Sequence, residues 1–110
     1  MAFEHHEEGH ITVVQIDETR LDASVSEAFK TYVFGLIEDG KTDIVVDLTE
    51  VRFMDSSGLG ALVAGLKKLS GNGSFSLASA QPAVKDLFDL TSMDKLFKLH
   101  GSVDEAVKGG

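Results

Sequence analysis

The sequence predicts an α/β fold, a mixed and mostly parallel sheet covered by helices in the order β-β-α-β-α-β-α-β-α. Short β-branched runs alternate along the chain with segments whose apolar residues recur every three or four positions. One run, residues 44–48, lacks the alternation of a half-exposed strand, which is typical of a central strand covered on both faces. The 110 residues, 43% of them hydrophobic, suffice for one domain with its own core, so residues 1–110 are expected to form a single unit.

The first third of the chain predicts two strands and a helix. Residues 2–16 contain two strand-like segments separated by Gly9, which favours a hairpin. Helical spacing of apolar residues then predicts a first helix over residues 24–38, with Ser24 as its cap and Gly40 just past its end.

The middle of the chain predicts a strand, a helix and a further strand. Residues 44–48 form the middle of the predicted sheet. Apolar residues at helical spacing over residues 59–69, followed by the glycine-rich turn 70–73, predict a second helix that begins just after Asp55. Residues 75–78 then have the composition of a strand.

The last third predicts a helix, a short strand and a terminal helix. Pro82 suits the first position of a helix, because its missing N–H would be unpaired there in any case. Residues 96–99 predict the last strand, and residues 102–108 predict the terminal helix.

Composition excludes several classes of function. Ten basic against eighteen acidic residues give a net charge of −8, which repels a nucleic-acid backbone, so no nucleic-acid partner is expected. The absence of cysteine excludes disulfides and thiol chemistry and suits the reducing cytoplasm. The first residues are acidic where a signal peptide is basic, and the longest uncharged stretch, residues 56–66, is too short to cross a membrane. We therefore expect a soluble, cytoplasmic protein.

A run of polar residues precedes the second helix. Asp55, Ser56 and Ser57 are all residue types that cap helices, so the simplest interpretation is a cap worth about 1 kcal/mol. One capping residue would be enough, however, and at least one hydroxyl is expected to be spare and exposed. Gly58 and Gly60 each cost about 1 kcal/mol relative to alanine within a helix. Close approach by another backbone, in this fold or in a partner, would explain them.

The same segment resembles a known family. Val-Val-Asp-Leu at residues 45–48 and Val-Arg-Phe-Met-Asp-Ser-Ser-Gly-Leu-Gly at residues 51–60 resemble the signature of bacterial anti-sigma factor antagonists, the stand-alone STAS domains. Residues 81–88 resemble the third helix of that family. The resemblance implies a STAS domain that has no cofactor and performs no catalysis itself.

The resemblance also implies a switch. The family's phosphorylated serine corresponds by position to Ser56. The resemblance implies that the unphosphorylated protein binds a cognate anti-sigma factor and thereby frees the sigma factor. The same anti-sigma factor is expected to be the serine kinase. A serine phosphatase would reset the switch.

A second aspartate also matches the family. Leu21 and Asp22 resemble a Leu-Asp pair near the family's phosphorylation site, although Thr19 stands where the family usually has glycine. A cap for the first helix is an equally simple interpretation of this aspartate. The resemblance implies partner-binding roles for a set of residues around Ser56, namely Asp22, Asp55, Ser57, Gly58 and Leu59.

The sequence does not indicate a metal site or a hydrolase site. Histidines 5, 6 and 10 lie among glutamates, but their spacing matches no metal-ligand motif, so no metal is expected. The flanks of Ser56 do not form the Gly-x-Ser-x-Gly elbow of serine hydrolases, so an enzyme is not expected.

An interaction scaffold is the main alternative. STAS domains also serve as subunits of signalling assemblies or as accessory subunits of membrane transporters. The presence of both Ser56 and Ser57 favours the switch, and a neighbouring kinase, phosphatase or transporter gene would discriminate between the two.

Overall fold

The structure is a computed structural model that describes residues 2–109. It contains four α-helices: α1 (Ala23–Glu38), α2 (Ser56–Leu69), α3 (Pro82–Leu90) and α4 (Val103–Gly109). The strands are β1 (Phe3–Glu8), β2 (Ile11–Ile16), β3 (Arg20–Leu21), β4 (Asp43–Asp47), β5 (Phe53–Met54), β6 (Ser74–Ala78) and β7 (Leu99–His100). A single 3₁₀ turn, Met93–Lys95, follows α3 in the described chain.

The main sheet has the strand order β1-β2-β4-β6-β7. The hairpin of β1 and β2 is antiparallel, and the other neighbouring pairs are parallel. The strands β3 and β5 form a separate two-stranded parallel sheet. The predicted fold class, a mixed and mostly parallel sheet covered by helices, is therefore confirmed.

The position of β4 explains its sequence. It lies between β2 and β6, and Ile44, Val45 and Val46 are all buried because both of its faces are covered. Ile44 and Val46 face the main core, which includes buried residues of α1, α2 and α3. Val45 faces a smaller apolar cluster, on the opposite side of the sheet, that includes Ala106 of α4.

Most predicted elements are confirmed to within one or two residues. The prediction that Ser24 caps α1 is wrong, because the N-cap is Asp22, whose side chain accepts a hydrogen bond from the Ser24 N–H. The strands β3 and β5 were not predicted. Two-residue strands have no periodicity that could reveal them.

The prediction of a strand over residues 96–99 is also wrong. Leu96 ends the 3₁₀ turn and is exposed, whereas Phe97 is buried between the rings of Phe75 and Phe88. The apolar pattern of this segment reflects one core side chain in a loop, and the strand itself begins at Leu99.

No helix within residues 2–109 has the length and apolarity needed to cross a membrane.

Candidate functional site

The site is the turn that leads into α2. Asp55 has an extended backbone, and its Oδ1 accepts the N–H groups of Ser57 at 2.9 Å and Gly58 at 3.1 Å. These bonds satisfy donors that the first turn of a helix leaves unpaired. Asp55 thus does the capping, as the simplest interpretation of this sequence predicted.

Ser56 is the first residue of α2 and is exposed. Its hydroxyl has no hydrogen-bond partner among residues 2–109, because the capping is done by the aspartate before it. Ser57 is half-buried and lines a shallow groove between α1 and α2. The Ser57 hydroxyl also makes no hydrogen bond within residues 2–109, so exposure distinguishes the two serines, and the spare hydroxyl that faces solvent is that of Ser56.

The small sheet of β3 and β5 holds this turn in place. In its parallel register Arg20 is opposite Phe53, and Leu21 is opposite Met54. Each strand is followed at once by an aspartate that caps a helix, Asp22 for α1 and Asp55 for α2. The two helix N-termini therefore lie side by side.

Gly58 is required by close packing within the fold. A Cβ atom built on Gly58 would lie 2.2 Å from the carbonyl oxygen of Leu21 and 2.9 Å from Cγ of Met54. A Cβ atom built on Gly60 would have nothing within 4 Å, and Gly60 is exposed. The predicted backbone approach is thus found inside the fold for Gly58, and the fold places no such demand on Gly60.

Asp22 caps α1. Its Oδ1 accepts the N–H of Ser24 at 3.0 Å and the Ser24 hydroxyl at 2.6 Å, and its Oδ2 accepts Nε–H of Arg20 at 3.1 Å. The hydrogen bonds from Ser24 and the neighbouring Arg20 guanidinium lower the pKa of the Asp22 carboxyl below its ordinary value. The capping interpretation of Asp22 is confirmed, and its role in binding a partner stays a prediction.

The turn before β3 does not need the glycine usual in the family. Thr19 presents its carbonyl oxygen to the N–H groups of Arg52 at 2.8 Å and Phe53 at 3.1 Å. This pairing extends the contact between the two short strands, and it depends on the backbone alone. Thr19 therefore fits at the position where the family usually has glycine.

An exposed arginine and aromatic pair adjoins the turn, and sequence reasoning missed it. Cζ of Arg20 lies 4.4 Å from the centre of the Phe53 ring, which is 44% exposed. Arginine and phenylalanine in this arrangement attract each other through the ring's quadrupole. Only the register of β3 and β5 brings the pair together, so no local pattern in the sequence could have found it.

Other polar groups lie away from the turn. An open cleft at the carboxyl ends of β2 and β4 is lined by four acidic residues, Asp17, Glu18, Asp47 and Glu50. Their negative charge repels phosphate groups. The histidines near the N-terminus contact different partners, His5 with Tyr32, His6 with Glu8 and His10 with Asp43. Within residues 2–109 no three histidine, aspartate or glutamate side chains are placed to hold a metal ion.

An α/β domain that presents Asp-Ser-Ser-Gly at a helix N-terminus beside a Leu-Asp cap has the architecture of a STAS domain. The family model for the STAS domain matches residues 2–106. The chain belongs to the STAS domain family.

Similar proteins have related names. A Thermotoga maritima protein named as a candidate anti-sigma factor antagonist is 30% identical over 98 residues, covering 87% of each chain. Anti-sigma-F factor antagonist RsfB of Mycobacterium tuberculosis is 26% identical over 89 residues, covering 81% of this chain and 73% of its own. The crystal structure of an anti-sigma factor antagonist from Mycobacterium paratuberculosis superposes with a TM-score of 0.89 at 26% identity, covering 97% of this chain and 91% of that one.

Proposed function

We propose that this chain is an anti-sigma factor antagonist that acts in the cytoplasm as a phosphorylation switch at Ser56. Its unphosphorylated form binds a cognate anti-sigma factor, and the sigma factor held by that partner is released. The partner is also a serine kinase, and phosphate on Ser56 ends the complex. A serine phosphatase restores the binding form.

The exposed hydroxyl of Ser56 is the observation that carries this proposal. A kinase substrate must present its acceptor oxygen to solvent, and Ser56 does so at the first position of α2. Asp55 already caps the helix through the Ser57 and Gly58 amides, so phosphate on Ser56 would break no hydrogen bond of the fold. The names of the similar proteins support the same function.

Electrostatics explain how phosphate would end binding. A phosphate adds about −1.5 to −2 charges, here to a chain of net charge −8 and directly after Asp55. Buried against a partner without a matching cation, such a charge costs several kcal/mol. Each 1.4 kcal/mol weakens affinity about tenfold. Within the free protein the helix N-terminus favours the phosphate instead.

The residues proposed to bind the partner divide by exposure. Asp55 and Ser57 are half-buried beside Ser56 and can contribute both charge and contact. Gly58 and Leu59 are buried, and Leu59 is only 8% exposed. We propose that these two act by positioning the turn, since direct contact would require the turn to open.

Binding measurements with serine variants test the switch. The partner is first recovered by pull-down from native cells and identified by mass spectrometry, which also reports phosphate on Ser56. Calorimetry with that partner should give unchanged affinity for Ser56→Ala and an affinity at least tenfold weaker for Ser56→Asp. Ser57→Ala is the control for the site of phosphorylation alone, because it keeps the acceptor Ser56 and should still be phosphorylated by the partner.

Two results would overturn the proposal. One is equal affinity of the Ser56→Asp and wild-type proteins for the anti-sigma factor. The other is recovery of transporter or fixed-assembly subunits alone, with binding that phosphate does not alter, which would favour the scaffold alternative.

A further inference from the structure

We infer that the Arg20 guanidinium binds the phosphate of phosphorylated Ser56. To do so it moves away from Asp22 and Phe53. The inference rests on the proposed phosphorylation of Ser56 and deepens it. If Arg20 binds the phosphate, phosphorylation of Ser56 also changes the surface formed by Asp22 and Phe53.

The small sheet brings Arg20 within reach. Arg20 is opposite Phe53 in the register of β3 and β5, and neighbouring strands lie about 4.8 Å apart. Ser56 follows Phe53 by three residues and the backbone is still extended at Asp55, so with about 3.3 Å per residue the Cα atoms of Arg20 and Ser56 lie about 11 Å apart. A long arginine side chain and a phosphorylated serine together span this gap.

The arginine already extends in the right direction. Its Nε–H donates to Oδ2 of Asp22, and Asp22 stands next to Asp55 because the strands before them are paired. The guanidinium is thus held on the side of the small sheet where α1 and α2 begin. Ser56 is the next residue after Asp55.

Arg20 has donors free for a phosphate. A guanidinium carries five N–H donors, and within residues 2–109 only Nε–H of Arg20 makes a hydrogen bond. The side chain is 59% exposed, so it can turn without disturbing the core. Its planar fork matches two phosphate oxygens, a geometry that makes such pairs stronger than single contacts.

Competition between the two anions favours the phosphate. Asp22 carries one charge at most, whereas the phosphate carries about 1.5 to 2. The Asp22 carboxylate also keeps the N–H and hydroxyl of Ser24 when Arg20 leaves, so the cap of α1 survives the exchange.

The exchange changes more than one side chain. The guanidinium that lies over Phe53 moves away, so the exposed ring loses its cover. Asp22 loses its cation and adds an unpaired charge to the same face. A partner that had bound this face would then meet a different shape and charge at three neighbouring positions.

The test uses phosphoserine installed at position 56 of the full chain by genetic encoding, so no kinase is needed. Phosphorus NMR follows the second pKa of the phosphate, ordinarily about 6. We expect Arg20→Gln to raise this pKa by about half a unit relative to the phosphorylated wild type, the size that an exposed ion pair supports. An amide correlation spectrum confirms that the variant is folded.

Arg52→Gln is the matched control. Arg52 is the only other arginine of the chain, it is exposed, and it directly precedes Phe53, the first residue of β5. Arg52 lies outside β5, one residue farther from Ser56 than Phe53, and within residues 2–109 it neither pairs with Asp22 nor lies over the Phe53 ring. We expect Arg52→Gln to leave the phosphate pKa within about 0.1 unit of wild type.

Identical titration of the wild-type and Arg20→Gln proteins would overturn the inference, as would an equal shift in Arg52→Gln. Neither result bears on the proposed function, because the phosphate is installed without the partner. Conversely, a native partner that never phosphorylates Ser56 would defeat the proposed function and leave this titration unchanged.

Discussion

Gly58 and Gly60 lie two residues apart at the start of α2 and have opposite surroundings. The Cβ of an alanine at position 58 would overlap the Leu21 carbonyl, a backbone atom that cannot rotate away. We expect Gly58→Ala to lower the free energy of unfolding by about 3 kcal/mol, as overpacking does elsewhere. Urea denaturation would measure this change.

Gly60→Ala is the control at a neighbouring helical position. Its Cβ would enter open space, and alanine is the better helix former, so unfolding should cost about 0.5–1 kcal/mol more than in wild type. Equal effects of the two substitutions would contradict the packing at Leu21. If Gly60→Ala stabilises the chain and weakens the anti-sigma factor complex, the glycine serves the partner.

Asp22 should make stability depend on pH. Hydrogen bonds from Ser24 and the charge of Arg20 lower its pKa from the ordinary 3.8. A folded-state pKa below the unfolded value means that the ionised carboxylate stabilises the fold above about pH 4, and that this contribution is lost as the pH falls through the folded-state pKa.

The variant Asp22→Asn isolates this contribution. It should unfold more easily than wild type at pH 7, and the difference should shrink as the pH falls below 4. Unfolding by urea at a series of pH values would measure it. A difference that stays constant across the series would show that the carboxylate charge is not the cause.

Among the elements, those with repeating local patterns could be predicted from the sequence. Over their 16 and 14 residues, α1 and α2 repeat their apolar spacing, and β4 is buried on both faces, so neighbouring residues alone reveal them. The sequence also placed Ser56 at a helix N-terminus, because capping residues act within a few positions.

The contact between β3 and β5 could not be predicted in this way. Each strand has two residues, and their pairing joins segments more than thirty positions apart. The position of Arg20 over Phe53 follows from that pairing, and so does the clash that makes Gly58 necessary. The features of the site that could not be predicted are therefore its tertiary contacts, which join segments distant in the sequence.

The element α4 should be separable from the site. It buries Ala106 against a small cluster on the sheet face opposite α1 and α2. A charge at this position would be buried without a partner, so Ala106→Asp should release the helix. Hydrogen exchange should then become fast in α4 while the amides of β4 stay protected.

The exposed neighbour Asp104 provides the control for this prediction. Asp104→Asn should leave exchange in α4 close to that of wild type. If Ala106→Asp also opened the amides of α2, the terminal helix would be part of the structure that supports Ser56, and the two faces of the sheet would not be independent.

For the whole molecule, phosphorylation of Ser56 has two opposite effects on the stability of the fold. The chain already carries a net charge of −8, and the phosphate brings it to about −10, which increases repulsion within the folded state. At the same time the phosphate stands at the N-terminus of α2, where an anion gains about 0.3–1 kcal/mol. The two effects oppose each other, and both are small.

We therefore expect phosphate on Ser56 to leave the melting temperature within about 5 °C of the unphosphorylated protein, since 1 kcal/mol shifts a domain of about 100 residues by 4–8 °C. Calorimetry of the two forms at low and high salt would measure this, and salt should reduce the difference because both effects are screened. A fall of more than 10 °C would mean that the phosphate disrupts the fold. Release of the partner would then follow from unfolding. If the melting transition is unchanged, release must instead result from the altered surface around Ser56.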